Sequence, residues 1–252
     1  MSDPIRVAIS GAGGRMGRVL ARLIAEDPSL SMVGRLERPL GDAASVVRDA
    51  DVVVDFSAPE CLRGIVSLPR GSWAETALVV GTTGLGAEDE RALDELSRSV
   101  PVVQAANFSI GVNLLLSLAE QAGRVLGGGY DAEIVEAHHR RKEDAPSGTA
   151  LELGRAVARG RDTELDAVRL DGRRGRPGAR TAGEIGFHAV RGGEVVGEHR
   201  VLFLGDRERV ELGHVATDRA LFAEGALRAA RWAIGRPPGR YGMREVLGFS
   251  GG

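Results

Sequence analysis

Continuous apolar runs recur at residues 51–56, 77–83 and 100–106, preceded by strand-like runs at 6–10 and 31–36. Strands buried on both faces of a parallel sheet read this way, without the alternation of a half-exposed strand. Helical spacing fills the gaps, in the stretch after residue 17 and at 59–68 and 87–99. Strand and helix alternating in this order predict an α/β, Rossmann-like doubly wound parallel sheet. A long apolar helix at 111–126 then bridges into a second unit, where the pattern changes. Strand-like runs dominate at 132–137, 167–170, 184–190, 195–204 and 209–216, separated by turns such as Arg191-Gly192-Gly193. With one helix at 147–159, they predict an α+β unit built on an open mixed sheet. The run Val201-Leu202-Phe203-Leu204 places apolar side chains on both faces, so the far face is expected to meet other subunits. A last helix at 218–235 and residues 241–247 return to the first unit. The expected division is a dinucleotide-binding domain of residues 1–109 with 219–252, and a substrate-binding and subunit-contact domain of 110–218.

The first strand ends in G-A-G-G-R-M-G, residues 11–17, and a helix follows at once. Strand, glycine turn and helix make a dinucleotide-binding start, because small residues let the backbone approach a pyrophosphate. The strict G-x-G-x-x-G pattern fails at Met16, and the glycines fit G-x-x-G-x-x-G at Gly11, Gly14 and Gly17 instead. About twenty residues further on, at the end of the second strand, stands an acidic side chain, Glu37, placed to accept from ribose hydroxyls. Arg38 beside it suits the extra phosphate of NADP, so NADH and NADPH are both admitted; a solvated Glu-Arg pair is the alternative. Ligands bind beyond the carboxyl ends of such strands, which here read Asp55-Phe56-Ser57, Gly81-Thr82-Thr83 and Ala105-Ala106-Asn107-Phe108.

Charge narrows the partners. The 252 residues carry 33 Lys and Arg against 35 Asp and Glu, a formal net charge of -2. No global field recruits nucleic acid or an anionic membrane, and neither is expected as a partner. Cys61 is the single cysteine, which excludes an intrachain disulfide and suits a reducing compartment. The start M-S-D-P-I-R lacks the basic and apolar regions of a signal peptide, and no run approaches a membrane span, so a cytoplasmic protein is expected. No metal is expected either. The segment 172–180, with Arg173, Arg174, Arg176 and Arg180 among glycines, reads as a solvated loop or as a cover for an anionic substrate.

The chemistry concentrates in residues 133–150, E-I-V-E-A-H-H-R-R-K-E-D-A-P-S-G-T-A. Imidazole and ammonium groups crowded together lower one another's proton affinity and favour proton donation near neutral pH. Downstream, Ser147-Gly148-Thr149 presents free backbone N–H groups at a helix start, where the dipole favours a carboxylate or phosphate. Pro146 has no N–H to leave unpaired there. Because strand side chains alternate, His138 and His139 cannot share one pocket while the strand continues, so the strand is expected to end near Ala137. The alternative is a basic surface loop before an ordinary turn. The sharper reading is a small polyanion that must be protonated.

Glu136-Ala137-His138-His139-Arg140-x-Lys142, continued by Asp144-Ala145-Pro146-Ser147-Gly148-Thr149-Ala150, resembles the 4-hydroxy-tetrahydrodipicolinate reductase (dihydrodipicolinate reductase) family. The resemblance extends to residues 11–17, 81–83, 105–111, 185–187 and 196–199, nearly the whole chain. It implies an NAD(P)H-dependent oxidoreductase of the diaminopimelate route to lysine, typically a homotetramer. It implies His138 as the catalytic histidine, Lys142 as the proton donor, and His139, Gly148 and Thr149 as substrate contacts. Cofactor contacts by the same resemblance are Gly11, Ala12, Gly13, Gly14, Arg15, Met16, Glu37, Gly81, Thr82, Thr83, Ala105, Ala106, Asn107 and Phe108. One departure is the stretch between Arg38 and Asp51, shorter than in many members, near the adenosine end of the cofactor. Two other classes share part of this layout: another NAD(P)-dependent amino-acid dehydrogenase, which should lack the His-His-Arg-x-Lys and Pro-Ser-Gly-Thr pairing, and a non-catalytic nicotinamide-sensing regulator, which should carry a basic helical module.

Overall fold

The structure, a computed structural model, describes residues 3–249. The chain divides after Ile110 and after Arg219, giving a first unit from its two ends and a second unit, Gly111–Arg219. The first unit begins with β1 (Ile5–Ser10), α1 (Arg15–Glu26), β2 (Leu30–Leu36), α2 (Ala43–Asp49), β3 (Val52–Asp55), α3 (Pro59–Val66), β4 (Ala77–Val80), α4 (Ala87–Ser97) and β5 (Pro101–Gln104). The second holds α5 (Ile110–Leu126), β6 (Asp131–His138), α6 (Gly148–Gly160), α7 (Leu165–Val168), β7 (Arg169–Asp171), β8 (Ile185–Arg191), β9 (Gly197–Leu204) and β10 (Arg209–Ala216). The chain returns to the first unit with α8 (Ala220–Ala233), β11 (Gly239–Tyr241) and α9 (Met243–Val246).

In the first unit six strands lie in the order β11-β5-β4-β3-β1-β2. All are parallel. Alternation along each strand feeds two cores. Val7, Ile9, Val52, Val54 and Val79 point toward Leu20, Ile24, Ala226 and Ala230 of α1 and α8. Ala8, Val53, Leu78 and Val80 meet Val47, Leu62, Ile65, Leu93 and Leu96 of α2, α3 and α4. Each large side chain so buried contributes about 1.5–3 kcal/mol. The helices start on local cues: Pro59 opens α3, where its missing N–H costs nothing, and Asp89 accepts from the Gly86 amide (2.9 Å) ahead of α4. The doubly wound parallel sheet expected from the apolar runs is the architecture observed.

The second unit is a mixed five-stranded sheet, β10-β9-β6-β8-β7. β9 runs antiparallel to β6 and β10, while β8 is parallel to β6 and β7. One face buries Ala132, Ile134, Ile185, Phe187, Val201 and Phe203 beneath α6, with Leu153 and Val157 against them. The other face leaves Val190, Leu204 and Val215 exposed.

Four expectations need correction. Residues 165–168 form a helical turn, and the strand begins only at Arg169. The turn lets Leu165 reach the core, where the missing side chain of Gly154 leaves it room. The strand expected from Val195 starts at Gly197. β6 runs through His138 rather than ending near Ala137, because the His139 amide still donates to the Val195 carbonyl (2.8 Å) and Gly192 to the His138 carbonyl (3.0 Å). The arginine-rich loop is only half solvated. Arg174 and Arg176 are exposed, but Arg173 donates to both oxygens of Glu133 (3.1 and 3.0 Å) and Arg180 Nε to one (3.1 Å). Glu133 is buried on β6, and a buried carboxylate without such partners would be costly.

Candidate active site

In the first unit, the carboxyl ends of β1, β3 and β4 lie side by side. Gly11 adopts φ +78°, and an added Cβ would stand 2.6 Å from the Phe56 carbonyl oxygen, so only glycine makes this turn. Gly17, in the first turns of α1, would meet the Gly11 carbonyl at 2.2 Å, so the helix start and glycine turn nest without side chains between them. The Gly13 amide donates to Glu37 Oε1 at 2.5 Å. The expected acidic reader therefore stands against the glycine turn, with Arg38 exposed beside it. Phe56 and Phe108 stack obliquely at 5.7 Å, and Gly81 lies against the Phe56 ring, where a Cβ would clash. A flat cradle bounded by glycine backbone and a carboxylate fits a dinucleotide. A hollow at the opposite, amino ends of these strands, lined by Arg6, Asp51, Thr76 and Pro101, has no such turn, and Arg6 and Asp51 pair with each other at 2.6 Å.

Beneath the cradle lies a group the sequence reading left without a role. Asp55 is fully buried, and its carboxylate accepts from Ser10 Oγ, Ser57 Oγ and Thr82 Oγ1, each at 2.5 Å. Burial holds it above the ordinary carboxylate range despite these three donors. Thr82 also accepts from the Ser57 amide (2.9 Å), so its hydroxyl is committed inward while Thr83 is exposed. Asp55 thus ties three strand ends together. Ala105 and Asn107 are half-buried, Ala106 is exposed, and Asn107 Oδ1 accepts from the Ser109 amide (2.8 Å). Ala12 is buried and Gly14, which precedes α1, is exposed with Arg15; Met16 packs at the edge of the core.

In the second unit the chemistry gathers where β6 ends and α6 begins. Glu136 and His138, two apart on one strand, share a face by alternation, and Glu136 Oε2 lies 2.5 Å from His138 Nδ1. The ladder sets His199 opposite Glu136 and Arg191 opposite His138. Arg191 donates to both oxygens of Glu136, at 2.7 Å each, and the Ser147 amide donates to Oε1 (3.0 Å). Ser147 caps α6 by accepting from the Ala150 amide (3.2 Å), and its hydroxyl meets His199 Nε2 at 3.1 Å. The rings of His138 and His199 pack edge to face at 5.1 Å. Gly148 has open space beside it, so the helix start is accessible there.

Electrostatics follow from these neighbours. Burial lowers the proton affinity of His138, and Lys142 and Arg191 add to that against the pull of Glu136. Burial pushes the Glu136 carboxyl up, but Arg191, His138 and the Ser147 amide outweigh it and leave it below its ordinary value. His199, buried beside His138, falls to about 4. Lys142 is 21% exposed and donates to Asp144 Oδ1 at 2.9 Å. His138, Lys142 and the helix start are therefore neighbours, whereas His139 follows the last residue of β6 and lies near Glu194. His139 Nδ1 is buried without a hydrogen-bond partner. The sequence reading missed Glu136, Arg191 and His199 as parts of this cluster. Glu136 carried a signal, two residues before His138 on the same face; the other two enter only through strand pairing.

A doubly wound sheet with a glycine turn, an acidic residue on that turn and a separate acid–base unit defines an NAD(P)-dependent oxidoreductase. Residues 5–108 match the family model described as dihydrodipicolinate reductase, N-terminus, and residues 111–247 match dihydrodipicolinate reductase, C-terminus. The chain belongs to the dihydrodipicolinate reductase family. It is 45% identical to the 4-hydroxy-tetrahydrodipicolinate reductase of Parvibaculum lavamentivorans, covering 99% of this chain and 100% of that one. It is 46% identical to the enzyme of the same name from Alkalilimnicola ehrlichii, covering 97% and 99%. Among solved structures, a dipicolinate-bound dihydrodipicolinate reductase from Paenisporosarcina is similar at TM-score 0.76 and 25% identity, covering 97% of this chain and 100% of that one.

Proposed function

We propose that this protein reduces 4-hydroxy-tetrahydrodipicolinate to tetrahydrodipicolinate, the step of the diaminopimelate route to lysine that its relatives are named for. The observation that carries this reading is the joining of His138 to the α6 start through one carboxylate, Glu136, with Lys142 alongside. A dicarboxylate that must gain a proton needs such a pairing of acid and anion site. Dipicolinate bound to the related enzyme from Paenisporosarcina supports a small cyclic dicarboxylate as the substrate class.

Gly11–Met16, Glu37, Arg38, Gly81–Thr83 and Ala105–Phe108 would hold NADH or NADPH, which would supply a hydride to C4 of the conjugated ring left after water is lost, its hydroxyl from C4 and its hydrogen from the adjacent ring carbon. Electron density then moves toward the ring nitrogen and its conjugated carbons, and a proton must reach them. Lys142 donates it. His138 is the acid–base partner that sets the local charge, and the backbone amides of Gly148 and Thr149 hold one carboxylate at the positive end of α6. His139, next along the chain, assists as the substrate contact that the family resemblance implies. General acid catalysis of this kind contributes roughly a hundred- to ten-thousand-fold in rate.

The reading includes a cytoplasmic homotetramer. No helix among the described residues is long and apolar enough to cross a membrane, and the sheet of the second unit leaves Val190, Leu204 and Val215 exposed on the face away from α6. Light scattering on the purified protein tests the assembly. The activity is tested by letting dihydrodipicolinate synthase supply the unstable substrate while oxidation of NADH or NADPH is followed by the loss of reduced-nicotinamide absorbance. Cofactor oxidation that does not depend on the synthase would refute it.

A further inference from the structure

Four donors converge on the Glu136 carboxylate, which is 1% exposed. Oε1 accepts from Arg191 Nη2 (2.7 Å) and the Ser147 amide (3.0 Å); Oε2 accepts from Arg191 Nη1 (2.7 Å) and faces His138 Nδ1 (2.5 Å). A guanidinium and a backbone amide can only donate. Both carboxylate oxygens therefore accept from groups that can only donate, which favours the ionised form and holds Glu136 below its ordinary value. A bare Nδ1 at 2.5 Å from Oε2 would set two lone pairs against each other, so Nδ1 carries a hydrogen. The exchangeable proton of His138 is then confined to Nε2.

The same pair of residues reaches the rest of the cluster. Arg191 Nη2 also donates to the Asp144 carbonyl (2.7 Å), and the Asp144 side chain accepts from Lys142 (2.9 Å). The Ser147 amide held by Glu136 belongs to the residue that caps α6. Acid–base histidine, lysine loop and anion-binding helix start are thus fixed from one buried ion pair. His199 of β9 packs on the other side of the ring, and its burial keeps it neutral there.

We propose that Glu136 is a positioning residue of the reaction: its carboxylate fixes His138 in the Nδ1–H tautomer, directs proton exchange to Nε2, and with Arg191 holds Lys142 and the α6 amides in register with that nitrogen. This rests on the dicarboxylate-reductase reading for its kinetic consequences, but the tautomer does not. The role resembles that of a carboxylate orienting a metal-bound or catalytic histidine, where losing the partner commonly costs about 10- to 100-fold in function.

The test is Glu136→Gln, nearly isosteric but with one acceptor replaced by an NH2. Either amide orientation sets a donor against a donor, and the orientation facing His138 favours the Nε2–H form. In the whole enzyme with ¹⁵N-labelled histidine, neutral His138 should show the Nδ1–H pattern, and Glu136→Gln should lose it. Turnover should fall about 10- to 100-fold and KM for the dicarboxylate should rise, while the dissociation constant of NADH is unchanged, because no cofactor contact is altered. An Nε2–H pattern in the unsubstituted enzyme would overturn the proposal whether or not the variant folds. So would normal turnover and KM in Glu136→Gln. Absence of reductase turnover in the unsubstituted enzyme would instead refute the functional reading, and the tautomer would still decide the role of Glu136.

Discussion

His199 offers a quantitative check on the electrostatics of the second unit. It is 4% exposed, with Ser147 of the α6 cap on its Nε2 and His138 against its ring. Burial first, and then the neighbouring charges of His138, His214 and Lys142 against the pull of Glu136, bring its pKa from 6.5 to about 4. The unfolded chain would take up this proton near 6.5, the folded one only near 4. The stabilisation from keeping His199 neutral is thus complete above the higher value and is lost as the pH falls toward the lower one. At about 1.4 kcal/mol per pH unit, the loss between pH 7 and pH 4 comes to about 3 kcal/mol. His199→Asn cannot titrate. It lowers stability at pH 7 by removing the packed ring, but its stability should decline less steeply toward pH 4, by that same amount. Both tryptophans, Trp73 and Trp232, belong to the first unit, so their fluorescence would follow the wrong part of the chain. Amide hydrogen exchange in β6 and β9 under conditions of global opening reports on the second unit instead. Parallel pH curves for the unsubstituted protein and His199→Asn would show that His199 is not held neutral by its surroundings.

Lys142→Ala should lower turnover at least about a hundredfold with cofactor binding intact, measured by steady-state kinetics alongside NADH titration; near-normal turnover would remove Lys142 from the mechanism. Glu37→Ala should weaken NADH more than NADPH in equilibrium titrations, since its carboxylate stands at the glycine turn, and an equal loss for both would mean that it does not read the ribose. Gly225→Ala would place a Cβ 1.8 Å from the Phe108 carbonyl oxygen, and the resulting shift should destabilise the first unit by about 1–3 kcal/mol, read as an earlier Trp fluorescence transition in urea.

Much of the first unit was legible because its signals are local. Continuous apolar runs of strand length, each followed by helical spacing, admit few architectures other than a wound parallel sheet, and a glycine turn after β1 marks its ligand end. The spacing from Gly17 to Glu37 brings the carboxylate onto the Gly13 amide. Short elements were less legible. α2 buries only Ala43 and Val47, too brief a stripe to declare a helix, and β11 has three residues whose pairing with β5 comes from distant chain.

By itself the sequence determined the order of the longer strands and helices, the glycine turn, and the cluster of His138, Lys142 and the Ser147 cap, because each of these depends on residues close together along the chain. Only the tertiary structure decided what surrounds that cluster. Arg191 lies 55 positions from Glu136, and His199 lies 52 from Ser147. Neither carries a local mark of its role, since strand register alone brings them together. The same is true of Asp55, which meets Ser10 and Thr82 only because β1, β3 and β4 end side by side. A buried carboxylate must find its donors wherever the fold delivers them, and pairing across a sheet is a long-range choice made by the packing of whole faces.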